Sequence, residues 1–176
     1  MNSNTAPARV NRQRTSSALT RTISTANKWF ARIPEPLIAM LARFSIAAVF
    51  WTSGQTKVEG FALNIVSGSL EFGLPRLSSS AVDLFRDEYK LPLLTPESAA
   101  VMATLGEHAL PLLVLLGLGT RLASFGLLLM TAVIQFMVYP GAYAVHGVWA
   151  ALLLWLMLRG PGTVSLDHWI ERRHRV

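Results

Sequence analysis

The chain has 176 residues, about one domain's worth, of which 52% are hydrophobic and only 15% charged, with a mean hydropathy of +0.40. A soluble domain averages about 25% charged residues, so this chain lacks the polar groups to cover a water-facing surface. It contains no cysteine, which excludes disulfides, thiolate chemistry, iron–sulfur clusters, Cys-bound zinc and covalently attached haem.

Residues 1–34 carry Arg9, Arg12, Arg14, Arg21, Lys28 and Arg32, nine Ser or Thr, and no acid. Nothing in this stretch can pack, and it is expected to be a disordered basic tail lying beside an anionic leaflet. The same composition also fits a mitochondrial transit peptide. No apolar core follows closely on Met1, so a secretory signal is not expected.

The next part of the chain is apolar. Stretches 36–56, 98–118, 121–139 and 145–159 approach or reach the ~20 residues that cross a bilayer. The second is the clearest, and Tyr143 and Trp149 are placed to anchor the outer end of the fourth. Polar faces at helical spacing are missing from the last three, as in membrane spans rather than a soluble bundle. The cations of the N-terminal tail, Arg121, Arg159, Arg172, Arg173 and Arg175 put both termini on the cytoplasmic side. The loop 57–97, with four cations against six acids, then lies outside.

That loop is too long for a bare connection. Gly60, Gly68, Gly73 and Pro75 break its first half, while Val82, Phe85 and Tyr89 share one face of an interfacial helix over 81–89. Near the C-terminus Ser165 is placed to cap another short helix, with Asp167 in its first turn and Trp169 and Ile170 reaching the leaflet. The fold class is therefore all-α, an integral membrane four-helix bundle with short interfacial helices. Its membrane domain covers 35–170, between the basic tails 1–34 and 171–176.

Ionisable groups inside spans are costly and need partners. In the first span Arg43 and Lys57 lie on one face, about 21 Å apart along the axis. Glu107 is the acid set well inside the second span. It falls about 14 Å below the outer surface, with Arg43 about 7 Å deeper and Lys57 near the surface. Glu107 is expected to be ionised and paired with Arg43, with Lys57 as the alternative partner; such a pair either locks two helices together or serves a proton or a ligand. Gln135 and Tyr139 continue a polar stripe of Ser124 and Thr131 that suits interhelical hydrogen bonds. Gln55, Lys57, Glu107, Gln135, Tyr139 and His146 gather in the outer half of the bundle, where a cavity would suit a small ligand or a quinone headgroup.

The depths of His108 and His146 do not match for haem ligation, and no third ligand completes a metal site with His146 and Glu107, so no metal is expected. No phosphate-binding glycine loop, nucleophile elbow or zinc-protease helix occurs. The basic ends lack interleaved aromatics, and lipid headgroups rather than nucleic acid are their expected partners.

Several elements, in order, resemble the DoxX family of small bacterial membrane proteins. They are Arg43, Phe50, Ser53, Gly54 and Lys57; Glu107; the turn Gly117-Leu-Gly119-Thr-Arg121-Leu-Ala123; and the ending Arg159-Gly160-Pro161-Gly162-Thr-Val-Ser165-Leu-Asp167. Tyr89-Lys-Leu-Pro92 and Val138-Tyr-Pro140, followed by His146 and Trp149, are similar to one subgroup. The resemblance spans about residues 37–170 and implies a four-span bundle in the bacterial inner membrane. The family's name derives from similarity to the small subunit of a thiosulfate:quinone oxidoreductase. Other members are linked to complexes handling oxidative and thiol stress, and the subgroup to genes for metal-binding peptides.

Nothing in this sequence supplies an intrinsic cofactor or redox centre, so electron transfer would need a bound quinone or a redox or metal-stress protein partner. The reading that follows is a membrane subunit of such a complex, non-catalytic alone. The alternatives are a small metabolite or anion carrier using Arg43, Lys57 and Glu107, or an enzyme using Glu107 and His146 as acid and base. Four spans without a repeat are few for a carrier unless the chain forms a homo-oligomer.

Overall fold

A computed structural model of the chain describes residues 8–64 and 68–174, in two compact units that divide after Glu35. In the first unit, residues Ala8–Phe30 form helix α1, where a disordered tail was expected. No Pro or Gly occurs between Pro7 and Pro34, so nothing local interrupts the helix. The Thr22, Ser24 and Thr25 hydroxyls donate back to the Ala18 and Arg21 carbonyls at 2.9–3.0 Å. From Ala18 to Glu35 every side chain is exposed.

The second unit is built on four helices long and apolar enough to cross a membrane, Glu35–Gln55, Pro96–Leu116, Thr120–Val138 and Pro140–Arg159. They are α2 (Glu35–Gln55), α4 (Pro96–Leu116), α5 (Thr120–Val133, continued as a π-helical turn Ile134–Val138) and α6 (Tyr143–Arg159, entered through a 3-10 turn Pro140–Ala142). Thr95 starts α4 by accepting from the Ser98 N–H at 3.3 Å, with Pro96 in the first turn where a missing N–H costs nothing. Ile46 and Phe50 of α2, Val114 of α4, Leu127 of α5, and Leu153 and Leu156 of α6 form one buried core. Ala42 and Ala123 are the small residues within it.

Between α2 and α4 lie a hairpin of β1 (Val58–Asn64) and β2 (Ser69–Leu77), then α3 (Ser79–Asp83) extended by a π-helical turn Leu84–Tyr89. The helical part agrees with the interfacial helix expected over 81–89. Ala81 and Phe85 pack it on Ala99 and Ala100 of α4, forming a second small core. The hairpin was not expected, because its glycines read as breakers. Gly60 and Gly73 lie instead at an irregularity of the ladder, where Glu59 opposes Arg76 but Phe61 already opposes Phe72. Gly60, at φ 78°, lies so near β2 that a Cβ would sit 2.7 Å from the Leu74 carbonyl oxygen. The last element is α7, Leu166–His174, so residues 171–174 continue a helix rather than form a separate tail. Ser165 caps it, accepting from the His168 N–H at 3.2 Å.

Two contacts show that α2 and α4 run antiparallel: Gly54 lies against Glu107 and His108, and Arg43 against Val114 and Leu115. At Gly54 a Cβ would stand 2.8 Å from the His108 ring and 3.1 Å from the Glu107 Cβ, so the helices approach this closely only over a glycine. Gly54→Ala is expected to lower the melting temperature in detergent, the overlap costing about 1–3 kcal/mol. Gly141→Ala, at a position with no atom within 4 Å, is expected to leave it unchanged.

Candidate functional site

The conspicuous polar residues of the bundle form two groups, one at each end. At the end where α4 turns into α5, Arg43 is buried and donates to four backbone carbonyls. Its Nε reaches Val114 O at 2.9 Å, its Nη1 reaches Pro161 O at 3.1 Å and Val164 O at 2.6 Å, and its Nη2 bonds Leu115 O. Val114 and Leu115 belong to the last turn of α4, whose carbonyls carry the negative end of the helix dipole, and Val114 O also accepts from the Gly117 N–H at 3.1 Å.

Asp167 holds the opposite pole of the same turn. Its carboxylate accepts from Gly119 N at 2.7 Å and Thr120 N at 3.0 Å, capping α5, while its own N–H donates to Gly117 O at 2.8 Å. Gly117, at φ 70°, ends α4 in the left-handed region, and a Cβ there would meet the Ser165 Cβ at 2.5 Å. Gly119, Gly160 and Gly162 also hold positive φ. Arg121 stays exposed, its guanidinium passing Gly160. The expected structural residues Gly119, Gly160, Gly162 and Asp167 therefore meet around Arg43 in one clasp of backbone hydrogen bonds. Its hydrogen bonds tie the α4–α5 turn to the loop before α7.

At the hairpin end, Lys57 and Glu107 are both buried and form an ion pair, Nζ to Oε2, at 2.7 Å. Ser53 completes a triangle: its Oγ accepts from Lys57 Nζ at 3.1 Å and donates to Glu107 Oε1 at 3.0 Å, and its carbonyl accepts from the same Nζ at 3.2 Å. The ammonium's hydrogen-bond directions go to Ser53, and its contact with Oε2 is a charge contact off the hydrogen-bond angle. The expected Arg43–Glu107 pairing is thus corrected, and the alternative, Lys57, is the partner. The cause is the lean of helical side chains toward the helix N-terminus. On α2 that lean carries Arg43 away from Glu107, toward the end of α4, while Lys57, in the turn just past Gln55 where its N–H bonds Gly54 O at 2.9 Å, stands beside Glu107.

Beside this triangle, Trp51 Nε1 donates to Leu63 O at 2.9 Å, and Leu63 N donates to Gln55 Oε1 at 2.6 Å. Gln55 Nε2 in turn lies 2.9 Å from His108 Nε2, and His108 Nδ1 lies 2.7 Å from Thr104 O. A carbonyl can only accept, so Nδ1 carries the ring proton and Nε2 accepts from Gln55. The sequence had set His108 aside, although its spacing one residue past Glu107 puts it against the other side of the same glycine.

Gln135 and His146 form a separate pair, Oε1 to Nδ1 at 2.7 Å, with Gln135 Nε2 donating to Pro140 O at 2.7 Å. The stripe on α5 was expected to bond between helices. Gln135 does reach α6, but Thr131 donates to Leu127 O of its own helix at 2.8 Å. Tyr139 donates to Glu88, and its ring stands edge-on to Tyr89 at 6.3 Å between centroids. Burial, then the fields of Tyr139, Glu107 and Glu88, push the Tyr89 phenol up to about 12. Tyr89 thus connects electrostatically with both the Tyr139 and the Glu107 groups, although the six expected site residues do not converge on one point. Among the described residues no cluster of three His, Asp or Glu could hold a metal ion. A shallow groove of about 580 Å³ opens instead beside Arg43, lined by Leu115, Leu116, Val164 and Trp169.

A family model described as DoxX matches residues 38–140. That range includes Arg43, Gly54, Lys57 and Glu107 and ends before His146, Gly160, Gly162 and Asp167. No curated protein and no solved structure matches the chain.

Two measurements probe the hairpin end. Lys57→Met and Glu107→Gln each leave a buried partner unmatched and are expected to cost about 3–5 kcal/mol, read as reduced thermal stability in detergent. The double substitution should recover much of that loss; additive losses would mean that the two charges do not depend on each other. In an alkaline titration followed at 295 nm, the Tyr89 phenol is expected to ionise near 12. Because its folded value is raised, its contribution to stability is complete below about pH 10 and lost as pH rises through 12. Tyr89→Phe should reduce that late step, leaving the part due to Tyr139, whose hydrogen bond to Glu88 also raises its phenol.

Proposed function

The chain belongs to the DoxX family, and from that premise we propose that it is a membrane subunit of a redox- or stress-related complex, non-catalytic on its own. It is a multi-pass membrane protein, with four helices long and apolar enough to span a bilayer. The cation-rich ends support placing both termini in the cytoplasm of a bacterium, with the hairpin end outside its inner membrane.

The observation that carries this reading is how the polar groups of the bundle are occupied. Arg43 is taken up by four carbonyls, Asp167 by two N–H groups, Lys57 by Ser53 and Glu107, and His146 by Gln135. Groups held this way fix helices and set a buried field, as in a scaffold. A quinone bound by such a subunit at the hairpin end would have to share or displace the bonds that Tyr139 makes to Glu88 and His146 to Gln135.

A carrier is the second reading, supported by the buried Lys57–Glu107 pair, a group that could exchange a proton. It is weakened by Arg43, one of its three proposed binding charges, which is committed to the backbone. Purified in mild detergent from its own membrane, the protein is expected to bring a protein partner at near-equal amounts. Mass spectrometry of the extract would also identify any quinone. Recovery of the protein alone, together with solute movement in proteoliposomes, would overturn the subunit reading in favour of the carrier.

A further inference from the structure

The β1–β2 hairpin has two unlike faces. Phe61 pairs with Phe72 and Leu63 with Leu70, which puts these four on one side, and Leu74 follows within the irregular stretch between the Phe61–Phe72 and Glu59–Arg76 pairs. Glu71, paired with Ala62, lies on the other. Leu70, Phe72 and Leu74 are 63%, 78% and 81% exposed. Three large apolar side chains in a row on an uncovered strand need an apolar environment.

The hydrogen bonds of β1 give the depth at which that face lies. Leu63 bonds through its carbonyl to Trp51 and through its N–H to Gln55, residues one turn apart in the last part of α2. Side chains on a helix lean toward its N-terminus, which on α2 is into the span. Leu63 therefore sits alongside the end of the spanning helix, not beyond it. With 21 residues, α2 is about 32 Å long, close to the ~30 Å hydrocarbon thickness. The hairpin turns at Lys57 and folds back on the span, its base marked by the cross-strand neighbours Glu59 and Arg76 and its apolar residues further along.

An open strand edge is costly in lipid because its N–H and C=O groups find no water. At Leu63 both groups are already satisfied, by side chains of α2. That removes the cost at Leu63, where β1 crosses α2.

We propose that the β1–β2 hairpin is a leaflet anchor, with Leu70, Phe72 and Leu74 inserted among the acyl chains of the leaflet at the Lys57 end and Glu59 and Arg76 at headgroup level. It is a β counterpart of an interfacial helix, tied to α2 through Trp51 and Gln55. The proposal is independent of whether the protein is a subunit or a carrier.

The absence of cysteine makes the test direct. Nitroxide labels are placed singly by Phe72→Cys and Leu74→Cys, with Leu129→Cys on a spanning helix as the lipid reference and Arg86→Cys as the water reference. The full chain is reconstituted in phosphatidylethanolamine–phosphatidylglycerol vesicles. Labels at 72 and 74 are expected to relax with oxygen and resist a water-soluble nickel chelate, like the label at 129. Relaxation by nickel as at 86 would overturn the proposal, placing the hairpin in water. Shielding from both agents would also overturn it, the face then being covered by a partner or a second copy. Leu70→Cys provides a third position on the same face should either substitution reduce the yield of folded protein.

Discussion

Arg43 joins pieces of chain that are far apart in sequence: the end of α4 and the loop before α7. The reason lies in the bilayer, which offers no water to unpaired carbonyls or to a charge. A guanidinium has five donors fixed in a plane and no acceptor, so it can serve several carbonyls at once. Asp167 does the complementary work on the N–H groups that open α5. With both poles of the α4–α5 turn satisfied, the turn can be tight and the two helices held in register for the rest of their length.

The same constraint shapes the hairpin end with different means. Lys57 and Glu107 are compatible with burial because they neutralise each other, and Ser53 supplies hydrogen bonds to both. Their approach depends on Gly54, which brings α2 onto α4 at the level of Glu107. A buried pair of this kind can hold two helices in register, and any exchange of a proton would have to work through the structure that the pair helps hold in place.

Much of the architecture was legible because it follows from composition and period. The four apolar stretches, the interfacial helix over 81–89 and the Ser165 cap each depend on local signals. The hairpin was hidden since Gly60, Gly68, Gly73 and Pro75 look the same in a loop and in an irregular ladder. The helix α1 was hidden for the opposite reason: a polar, basic segment without breakers can be helical with no apolar face to announce it. Among the site residues, Ser53 stands one turn before Lys57, a spacing that marks it as the ammonium's nearest acceptor. Asp167 was read for its own helix, whereas its carboxylate serves α5.

By itself the sequence determined that this is a four-span membrane bundle of the DoxX family, and that Arg43, Lys57 and Glu107 are the charges it must accommodate. Hydropathy over ~20 residues and the cost of a charge in lipid are properties of the chain alone. Which charges meet was decided only by tertiary structure. Arg43 and Lys57 share a face of α2, and helix rise alone places Glu107 between them. The choice turned on the lean of Arg43 toward the start of α2, on the turn that holds Lys57 just past its end and on where α4 ends, a matter of three-dimensional position that one-dimensional spacing does not contain.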